Sequence, residues 1–342
     1  MLAPRPKLGR WSKYTLLGLT GYAVASMFCG VIAWWWELPL GERAISIIGP
    51  PAAFIVVVTI ATAIKGREWI VFYHALFAGV AATVGLGLAT GAQHLAQMLD
   101  VAVLGIGVFL VFGRIGCFHV ACCHGRPARF GVVYGEPHVA IGLWKRLAHR
   151  PLFPIQLVES ATTLGLVIAG VIAAHGEPGH GALVFGEGYA ILRFAFELVR
   201  GDPVRPHALG LSEAQWSCHV DAIACALVWP GPITIGIALA LVVATVVLVV
   251  RRRARELVLP PHLHELDELC AAIAADPAHA RRDSKLGVGL SLHELPDGRR
   301  DWVLSSTHAA WSPHTARAIA RWLWPAGEVV EGRTAGIVHV VE

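Results

Sequence analysis

Long apolar runs dominate this sequence and constrain its fold more than any other feature. A helix needs about 20 apolar residues to cross the hydrocarbon core of a bilayer. The runs that meet this requirement are residues 14–36, 45–64, 69–90, 99–121, 152–174, 181–199 and 232–250. The mean hydropathy is +0.59 and only 15% of the residues are charged, which is too little polar surface for a soluble protein of this size. The sequence therefore predicts an all-α polytopic membrane bundle of about seven transmembrane helices.

The C-terminal quarter of the chain has a different composition, with many charges and no spanning run. The segment "LHELDELCAAIAA" has helical periodicity, and "LGVGLSLHELPDGRRDWVLSS" predicts two strands around a turn. "SPHTARAIARWLW" opens like a helix, and "AGIVHVVE" predicts a final strand. We therefore predict a transmembrane domain over residues 1–255 and a soluble α+β domain over 256–342. Residues 206–229 begin too polar to span and predict a loop followed by an interfacial or partly inserted helix.

The distribution of positive charge gives two different answers about orientation. The segment "RRRAR" after the last run favours a cytoplasmic C-terminus, and seven spans would then place the N-terminus outside. The N-terminal arm nevertheless carries Arg5, Lys7, Arg10 and Lys13, and the loop 124–151 is also basic. The net charge of +4 is modest, and the C-terminal domain has no basic excess, so nucleic acid is not a predicted partner.

Ionisable side chains inside the apolar runs are few, and each costs roughly 2.5–3.5 kcal/mol at a helix centre. They either form ion pairs that hold helices together or serve a function. Tyr189, Arg193 and Glu197 recur every four residues, so they share one helix face. Arginines that converge from several helices suit a phosphate headgroup, because the guanidinium fork binds phosphate oxygens bidentately. The ionisable residues in these runs are His74, Asp100, Arg114, Glu159, Glu187, Arg193 and Glu197.

The stretch "GRIGCFHVACCHGR" at residues 113–126 combines two of the arginines with three cysteines. Metal ligation, a redox pair, apolar filling and a direct polar role are the alternatives for these thiols. On a helix the side chains of Cys122 and Cys123 diverge by about 100°. Cys117, Cys122 and His124 would not lie on one helix face either. No CxxC pair is present. We therefore expect the cysteines to fill space around a lipid pocket, with no metal and no cofactor.

Several segments occur in the order that is typical of one enzyme family. They are "GRIGCF", "HGRP", "GVVY", "FPIQLVES", "YAILRFAFELVRGD" and "GLSEAQW". Over roughly residues 14–250 the chain resembles the prolipoprotein diacylglyceryl transferases. The resemblance implies a seven-span bundle in the bacterial inner membrane, with its site facing the periplasmic side. It also implies transfer of a diacylglyceryl group from phosphatidylglycerol to the lipobox cysteine thiol of a preprolipoprotein. The implied partners are phosphatidylglycerol, preprolipoprotein signal peptides and membrane lipids.

The same resemblance carries roles to individual residues. "GRIGCF" is similar to the family signature and implies that Arg114 is its essential arginine, and "VFYHALFAG" places His74 at the position of the family's histidine. Arg114 and Arg193 would hold the lipid phosphate, and His74 would take the thiol proton. The implied catalytic residues are His74, Arg114, Arg193 and Tyr189. The implied lipid-binding residues are Arg126, Gly125, Gln156, Glu159, Glu197 and Cys117.

The sequence departs from the family pattern at three positions. Cys117 stands in place of the signature asparagine, Cys122 in place of an acidic residue, and His74 begins His-Ala-Leu instead of His-Gly-Gly. A lipid-binding or scaffolding membrane protein of the same fold is therefore an alternative, and a transporter is another.

Residues 256–342 are an addition to the usual family architecture, and a cytosolic partner for them is a further expectation. Their histidines are expected on the surface. These are His262, His264, His293, His308, His314 and His339.

Overall fold

The computed structural model describes residues 1–9, 11–66, 72–203, 207–251, 255–276, 281–334 and 336–342. These residues form two compact units. The first contains Met1–Arg200 and Ala214–Val242, and the second contains Gly201–Glu213 and Val243–Glu342. Arg10, residues 69–71 of the predicted third span and residues 252–254 of "RRRAR" lie outside the described residues.

Six helices in the described part of the chain are long and apolar enough to cross a membrane. They are α1 (Lys13–Trp35), α2 (Leu40–Lys65), α3 (Phe72–Thr90), α4 (Leu95–His119), α6 (Ile155–Gly176) and α9 (Pro232–Val250). Two shorter helices are α7 (His180–Phe196) and α8 (Glu213–Val228), of 17 and 16 residues. The prediction of a helical, multi-pass membrane protein is confirmed. The count of about seven spans is not, because the predicted span 181–199 forms the shorter helix α7.

Helix α4 lies at the centre of the first unit, with α1, α2, α3, α6 and α7 packed around it. Most of α4 is buried, whereas α1, α2 and α9 expose many aliphatic side chains, as helices that face lipid do. Small residues allow the close contacts. A Cβ at Gly105 of α4 would lie 2.2 Å from Sγ of Cys29, and one at Gly170 would lie 2.5 Å from Leu104. This is the small-residue packing that is typical of helices in membranes.

Asp100, one of the costly charges in the apolar runs, holds the beginning of α7. Its carboxylate accepts hydrogen bonds from the backbone N–H of Gly179 at 2.6 Å and of Ala182 at 2.7 Å. The first N–H groups of a helix have no partner within the helix, and they form the positive end of the helix dipole, which favours a carboxylate. Asp100 therefore has a structural role that its position in the sequence did not reveal.

The chain between α4 and α6 folds over the end of α4. It contains β3 (Pro127–Val133), the one-turn helix α5 (Glu136–Val139), a short 3₁₀ turn (Lys145–Leu147) and β4 (Pro151–Leu152), which pairs antiparallel with β3. The hydroxyl of Tyr134 donates to the carbonyl oxygen of Phe118 at 3.1 Å and ties this segment to α4. Two more hairpins, β1–β2 (Lys7–Leu8 and Trp11–Ser12) and β5–β6 (His207–Ala208 and Leu211–Ser212), complete the connections.

The second unit contains a five-stranded antiparallel sheet and two helices. The strands are β7 (Arg281–Asp283), β8 (Val288–Glu294), β9 (Arg300–Ser306), β10 (Glu328–Glu331) and β11 (Ile337–Val341), in the order β10-β11-β9-β8-β7. Helices α10 (Pro260–Ala275) and α11 (Pro313–Leu323) pack against the sheet. Ser312 caps α11 by accepting from the N–H of Thr315 at 3.2 Å. The predicted C-terminal α+β fold is thereby confirmed, including both helices and the strand pair around the "PDG" turn.

The prediction that the C-terminal histidines lie on the surface is wrong for His262. This imidazole is buried between the loop before α10 and the loop before β8. Its Nδ1 lies 2.8 Å from the carbonyl oxygen of Leu257, and its Nε2 lies 2.9 Å from the hydroxyl of Ser284. A carbonyl only accepts, so Nδ1 carries the proton and Nε2 accepts from Ser284. Burial lowers the pKa of His262 from its usual 6.5. His293 and His314 are exposed, and His264, His308 and His339 are half-buried.

Candidate active site

Glu159 on α6 is the centre of a buried polar cluster in the first unit. Nη2 of Arg114 on α4 lies 2.9 Å from its Oε1, and Nη1 of Arg193 on α7 lies 3.6 Å from its Oε2. The hydroxyl of Tyr189 donates to Oε1 at 3.0 Å. A buried carboxylate requires such partners, because removing an ion from water without compensation costs several kcal/mol. Three helices thus bring four of the predicted site residues together.

A second carboxylate extends this cluster along α7. Arg193 also pairs with Glu197, and Nε of Arg200 lies 3.6 Å from Oε1 of Glu197. The first is an i,i+4 pair at the end of α7, as the spacing predicted, whereas Arg200 reaches Glu197 from the segment that follows the helix. We call Arg114, Glu159, Arg193, Glu197 and Arg200 the arginine–glutamate chain. All five side chains are buried. Three cations and two anions give the arginine–glutamate chain an excess positive charge.

Some donors of the arginine–glutamate chain remain available. Nε of Arg114 and Nη1 of Arg193 are buried and make no hydrogen bond to the residues that the structure describes, although Nη1 of Arg193 lies 3.6 Å from Oε2 of Glu159. Buried polar atoms are nearly always hydrogen-bonded, so such exceptions at a cluster of charges indicate a ligand position. An anion could accept from both arginines while Glu159 keeps its contacts with them. The chemistry that this arrangement supports is recognition of a phosphate or a similar oxyanion.

Gln156, one turn before Glu159, contacts the turn that follows α4. Its Nε2 donates to the carbonyl oxygen of Cys122 at 2.9 Å and to the hydroxyl of Tyr134 at 3.4 Å. Burial raises the pKa of Tyr134, so this hydroxyl stays protonated. Oε1 of Gln156 is buried and has no hydrogen-bond partner in the described part of the chain. Sequence reasoning gave Tyr134 no role, although it ends the "GVVY" segment.

Gly125 and Arg126 attach the end of the signature stretch to the end of α7. The backbone N–H of Arg126 donates to the carbonyl oxygen of Val199 at 3.0 Å, and its Nε donates to that of Arg200 at 3.1 Å. A Cβ at Gly125 would lie 2.4 Å from the carbonyl oxygen of Phe153. A glycine is therefore needed here because two backbone segments approach each other closely. The half-buried Arg126 lies beside the arginine–glutamate chain.

Tyr73, which sequence reasoning missed, contacts the cluster from α3. Its ring centroid lies 5.9 Å from that of Tyr189, and its hydroxyl lies 3.1 Å from Sγ of Cys218 on α8. Tyr189 also stacks on Phe185 at 5.8 Å. The predicted base, His74, is the next residue on α3, where it is half-buried. Its side chain leaves the helix about 100° away from that of Tyr73.

The expectation that the signature cysteines diverge is wrong, because it assumed a continuous helix. Helix α4 ends at His119, and the chain then turns through Ala121 and Cys123, whose φ angles are 58° and 54°. This turn folds Cys122 and Cys123 back towards Cys117. The three Sγ atoms all lie within 4.8 Å of one another.

Two further buried acids are Glu187 on α7 and Asp221 on α8. Both oxygens of Glu187 and Oδ2 of Asp221 on α8 have no hydrogen-bond partner among the described residues. The two carboxyl groups interact electrostatically. The sequence had marked Glu187 as a costly residue, and Asp221 was missed because its helix begins with polar residues.

Comparison with known proteins assigns the family. A model of the family described as prolipoprotein diacylglyceryl transferase matches residues 57–230, just over half of the chain. The chain belongs to the prolipoprotein diacylglyceryl transferase family. Every site residue that was predicted from the sequence lies inside the matched range, whereas the C-terminal sheet lies outside it.

Relatives in this family are similar over a shorter range. The phosphatidylglycerol–prolipoprotein diacylglyceryl transferase of Dehalococcoides mccartyi strain CBDB1 is 32% identical over 140 residues, which cover 40% of this chain and 52% of that protein. The corresponding transferase 2 of Clostridium perfringens strain 13 is 28% identical over 139 residues, 39% of this chain and 51% of that protein. The chain therefore spans about half the length of the relatives that it matches. No solved structure gives a significant match.

Proposed function

We propose that this membrane protein transfers a diacylglyceryl group from phosphatidylglycerol to the thiol of the lipobox cysteine in preprolipoproteins. The family assignment supports the class of reaction, and the two substrates are those in the names of the relatives. The observation that carries the proposal is the convergence of Arg114 and Arg193 on Glu159, with a buried donor of each arginine left without a hydrogen-bond partner among the described residues.

The phosphate of phosphatidylglycerol would accept from Nε of Arg114 and from Nη1 of Arg193. In this low-dielectric setting the two guanidinium groups would stabilise the charge that develops on the departing glycerol phosphate. Glu159 would hold both arginines in position, and its hydrogen bond from Tyr189 would fix its own orientation. Tyr189 is in this proposal a positioning residue. Glu197 and Arg126 would orient the arginines and the headgroup, and Gln156 would hold the turn that follows α4 through the carbonyl oxygen of Cys122.

The proposed reaction is a displacement at carbon. The thiolate attacks the glyceryl carbon that carries the phosphate oxygen, a C–S bond forms, and the C–O bond breaks. The glycerol phosphate leaves with the bonding electrons. The thiol must lose its proton first, because the thiolate is the nucleophile. We propose His74 as the group that accepts this proton, since histidine is the side chain that most often serves as a general base.

We further propose that residues 1–255 form the transferase domain in the bacterial inner membrane. Residues 256–342 would form a separate domain on the cytoplasmic side, where a cytosolic partner could bind it. The basis for this orientation is the basic segment "RRRAR" after α9. To test this orientation, a single cysteine is introduced into the β8–β9 turn, and spheroplasts are treated with a membrane-impermeant cysteine reagent. Labelling of this cysteine from outside contradicts a cytoplasmic domain.

The test of the reaction uses the full-length protein in vesicles that contain phosphatidylglycerol, together with a peptide that carries a lipobox cysteine. Transfer increases the peptide mass by one diacylglyceryl group. We expect transfer to fall at least 100-fold in Arg114→Ala and in Arg193→Ala. Arg129→Ala is the matched control, because Arg129 is exposed on β3 and should keep its activity. Full activity in both cluster variants contradicts the phosphate clamp. A wild-type protein that binds phosphatidylglycerol without transfer supports the lipid-binding alternative instead.

A further inference from the structure

The cysteines of the signature stretch form a compact group of ligand atoms that the proposed transfer reaction does not use. Cys117 is buried, Cys122 and Cys123 are half-buried, and none of the three forms a disulfide with another residue that the structure describes. We propose that Cys117, Cys122 and Cys123 bind a thiophilic d¹⁰ metal ion, Zn(II) or Cu(I), through three thiolates. We call this group the three-cysteine site.

The spacing of the sulfur atoms suits a metal better than a disulfide. A metal–thiolate bond of about 2.3 Å places the sulfurs about 3.8–4.0 Å apart in a tetrahedral or trigonal set. The three Sγ atoms already lie within 4.8 Å of one another, so side-chain adjustments of less than 1 Å per atom complete the site. A disulfide needs about 2.05 Å between two sulfurs and leaves the third thiol without a role.

The backbone of this turn supports the same conclusion. Ala121 and Cys123 adopt φ angles of 58° and 54°, a conformation that residues with a Cβ rarely adopt. The consequence of this unusual turn is that two adjacent side chains, which would diverge on a helix, lie on the same side of Cys117. Space-filling cysteines need no such turn, because each of them could pack separately.

A cationic side chain lies beside the three-cysteine site. Arg114 lies one helical turn before Cys117, and it interacts electrostatically with Cys117 and Cys123. Three thiolates with Zn(II) carry a net charge of −1, and with Cu(I) a net charge of −2, so a neighbouring guanidinium compensates part of this charge. Thiolates are soft ligands and select Zn(II) or Cu(I) over Mg(II) or Ca(II).

The experiment measures metal in the full-length protein purified in detergent under reducing conditions. Protein is loaded separately with Zn(II) and with Cu(I), desalted, and analysed for metal per chain. We expect about one ion per chain for one of the two metals, and at least a tenfold loss in the Cys122→Ser/Cys123→Ser double variant. Cys225→Ser is the matched control, because Cys225 is a buried cysteine on α8 outside the group, and it should retain the metal.

Two further measurements keep the proposal falsifiable. Size-exclusion profiles and melting temperatures of the apo proteins show whether the double variant is folded, and X-ray absorption of the loaded protein should give three sulfur neighbours at about 2.3 Å. The proposal is overturned if neither metal binds the wild type above the double variant. It is also overturned if a non-reducing mass map finds a disulfide within the three-cysteine site, or if absorption shows oxygen and nitrogen neighbours only. None of these readouts depends on transferase activity.

Discussion

Arg114 and Glu159 form a buried ion pair between α4 and α6, with Nη2 and Oε1 2.9 Å apart. Neither residue is near the other in the sequence, and each would be costly alone in a membrane helix. The pair also positions Arg193, which contacts the other oxygen of the same carboxylate. Glu159 therefore determines how two arginines from different helices approach one another.

Glu159→Gln should destabilise the protein by about 3–5 kcal/mol, because it leaves two buried guanidinium groups without their counter-charge. The measurement is denaturant unfolding in detergent, followed by tryptophan fluorescence. Glu136→Gln is the control, since Glu136 is exposed and its ion pair with His149 is also exposed. Equal stability of Glu159→Gln and wild type is inconsistent with a buried, ionised Glu159.

Tyr189→Phe should reduce transfer by about tenfold, not abolish it. The ring keeps its stack on Phe185, and the hydrogen bond to Glu159 is lost, which is worth about 1–1.5 kcal/mol. The change should appear mainly in the affinity for phosphatidylglycerol, because Tyr189 acts on the arginines through Glu159. A loss of more than 1,000-fold in the rate constant at saturating lipid would instead make Tyr189 a direct proton donor.

Gly125→Ala should impair folding or activity strongly, because its Cβ would lie 2.4 Å from the carbonyl oxygen of Phe153. The chain offers a matched control in the same stretch. Gly113→Ala adds the same methyl group where no atom lies within 4 Å, and it should behave like wild type. Protein yield, melting temperature and lipidation of the lipobox peptide measure both variants. Similar behaviour of the two variants contradicts the close approach at Gly125.

Asp100→Ala should destabilise the start of α7 by about 1–2 kcal/mol, the cost of losing a helix cap. Hydrogen exchange of the amides of residues 179–184 in the full-length protein should become faster. Asp100→Asn keeps one acceptor oxygen and should show a smaller change. If exchange in α7 does not change in either variant, the carboxylate does not hold this helix.

The C-terminal domain should lose stability as the pH falls below about 6.5. Burial lowers the pKa of His262 in the folded protein, so below the usual value of 6.5 the unfolded chain binds a proton that the folded chain does not. Stability is therefore fully present above pH 6.5 and falls as the pH decreases towards the lowered value. Hydrogen exchange of residues 256–342 between pH 5 and 8 measures this slope.

His262→Gln should flatten the pH dependence of this domain, whereas the exposed His293→Gln should leave it unchanged. An unchanged slope in His262→Gln shows that other groups cause the pH dependence.

The sequence alone determined the long apolar helices and the few charged residues within them. Apolar runs and helical periodicity are local patterns, so they predicted the long helices, the polar face of α7 and the C-terminal strands. They also placed Arg114, Glu159 and Arg193 among the costly residues. The family segments implied the class of reaction.

Only the tertiary structure decided which of these side chains meet. The contact of Arg114, Arg193 and Tyr189 with one carboxylate depends on how three helices pack, and sequence periodicity does not encode that packing. Helix α4 ends at His119, and the turn that follows brings together the side chains of Cys122 and Cys123, which would diverge on a continuous helix. Burial of His262 and capping by Asp100 are likewise contacts between distant segments. Local patterns predict the elements, whereas the site arises from contacts between elements.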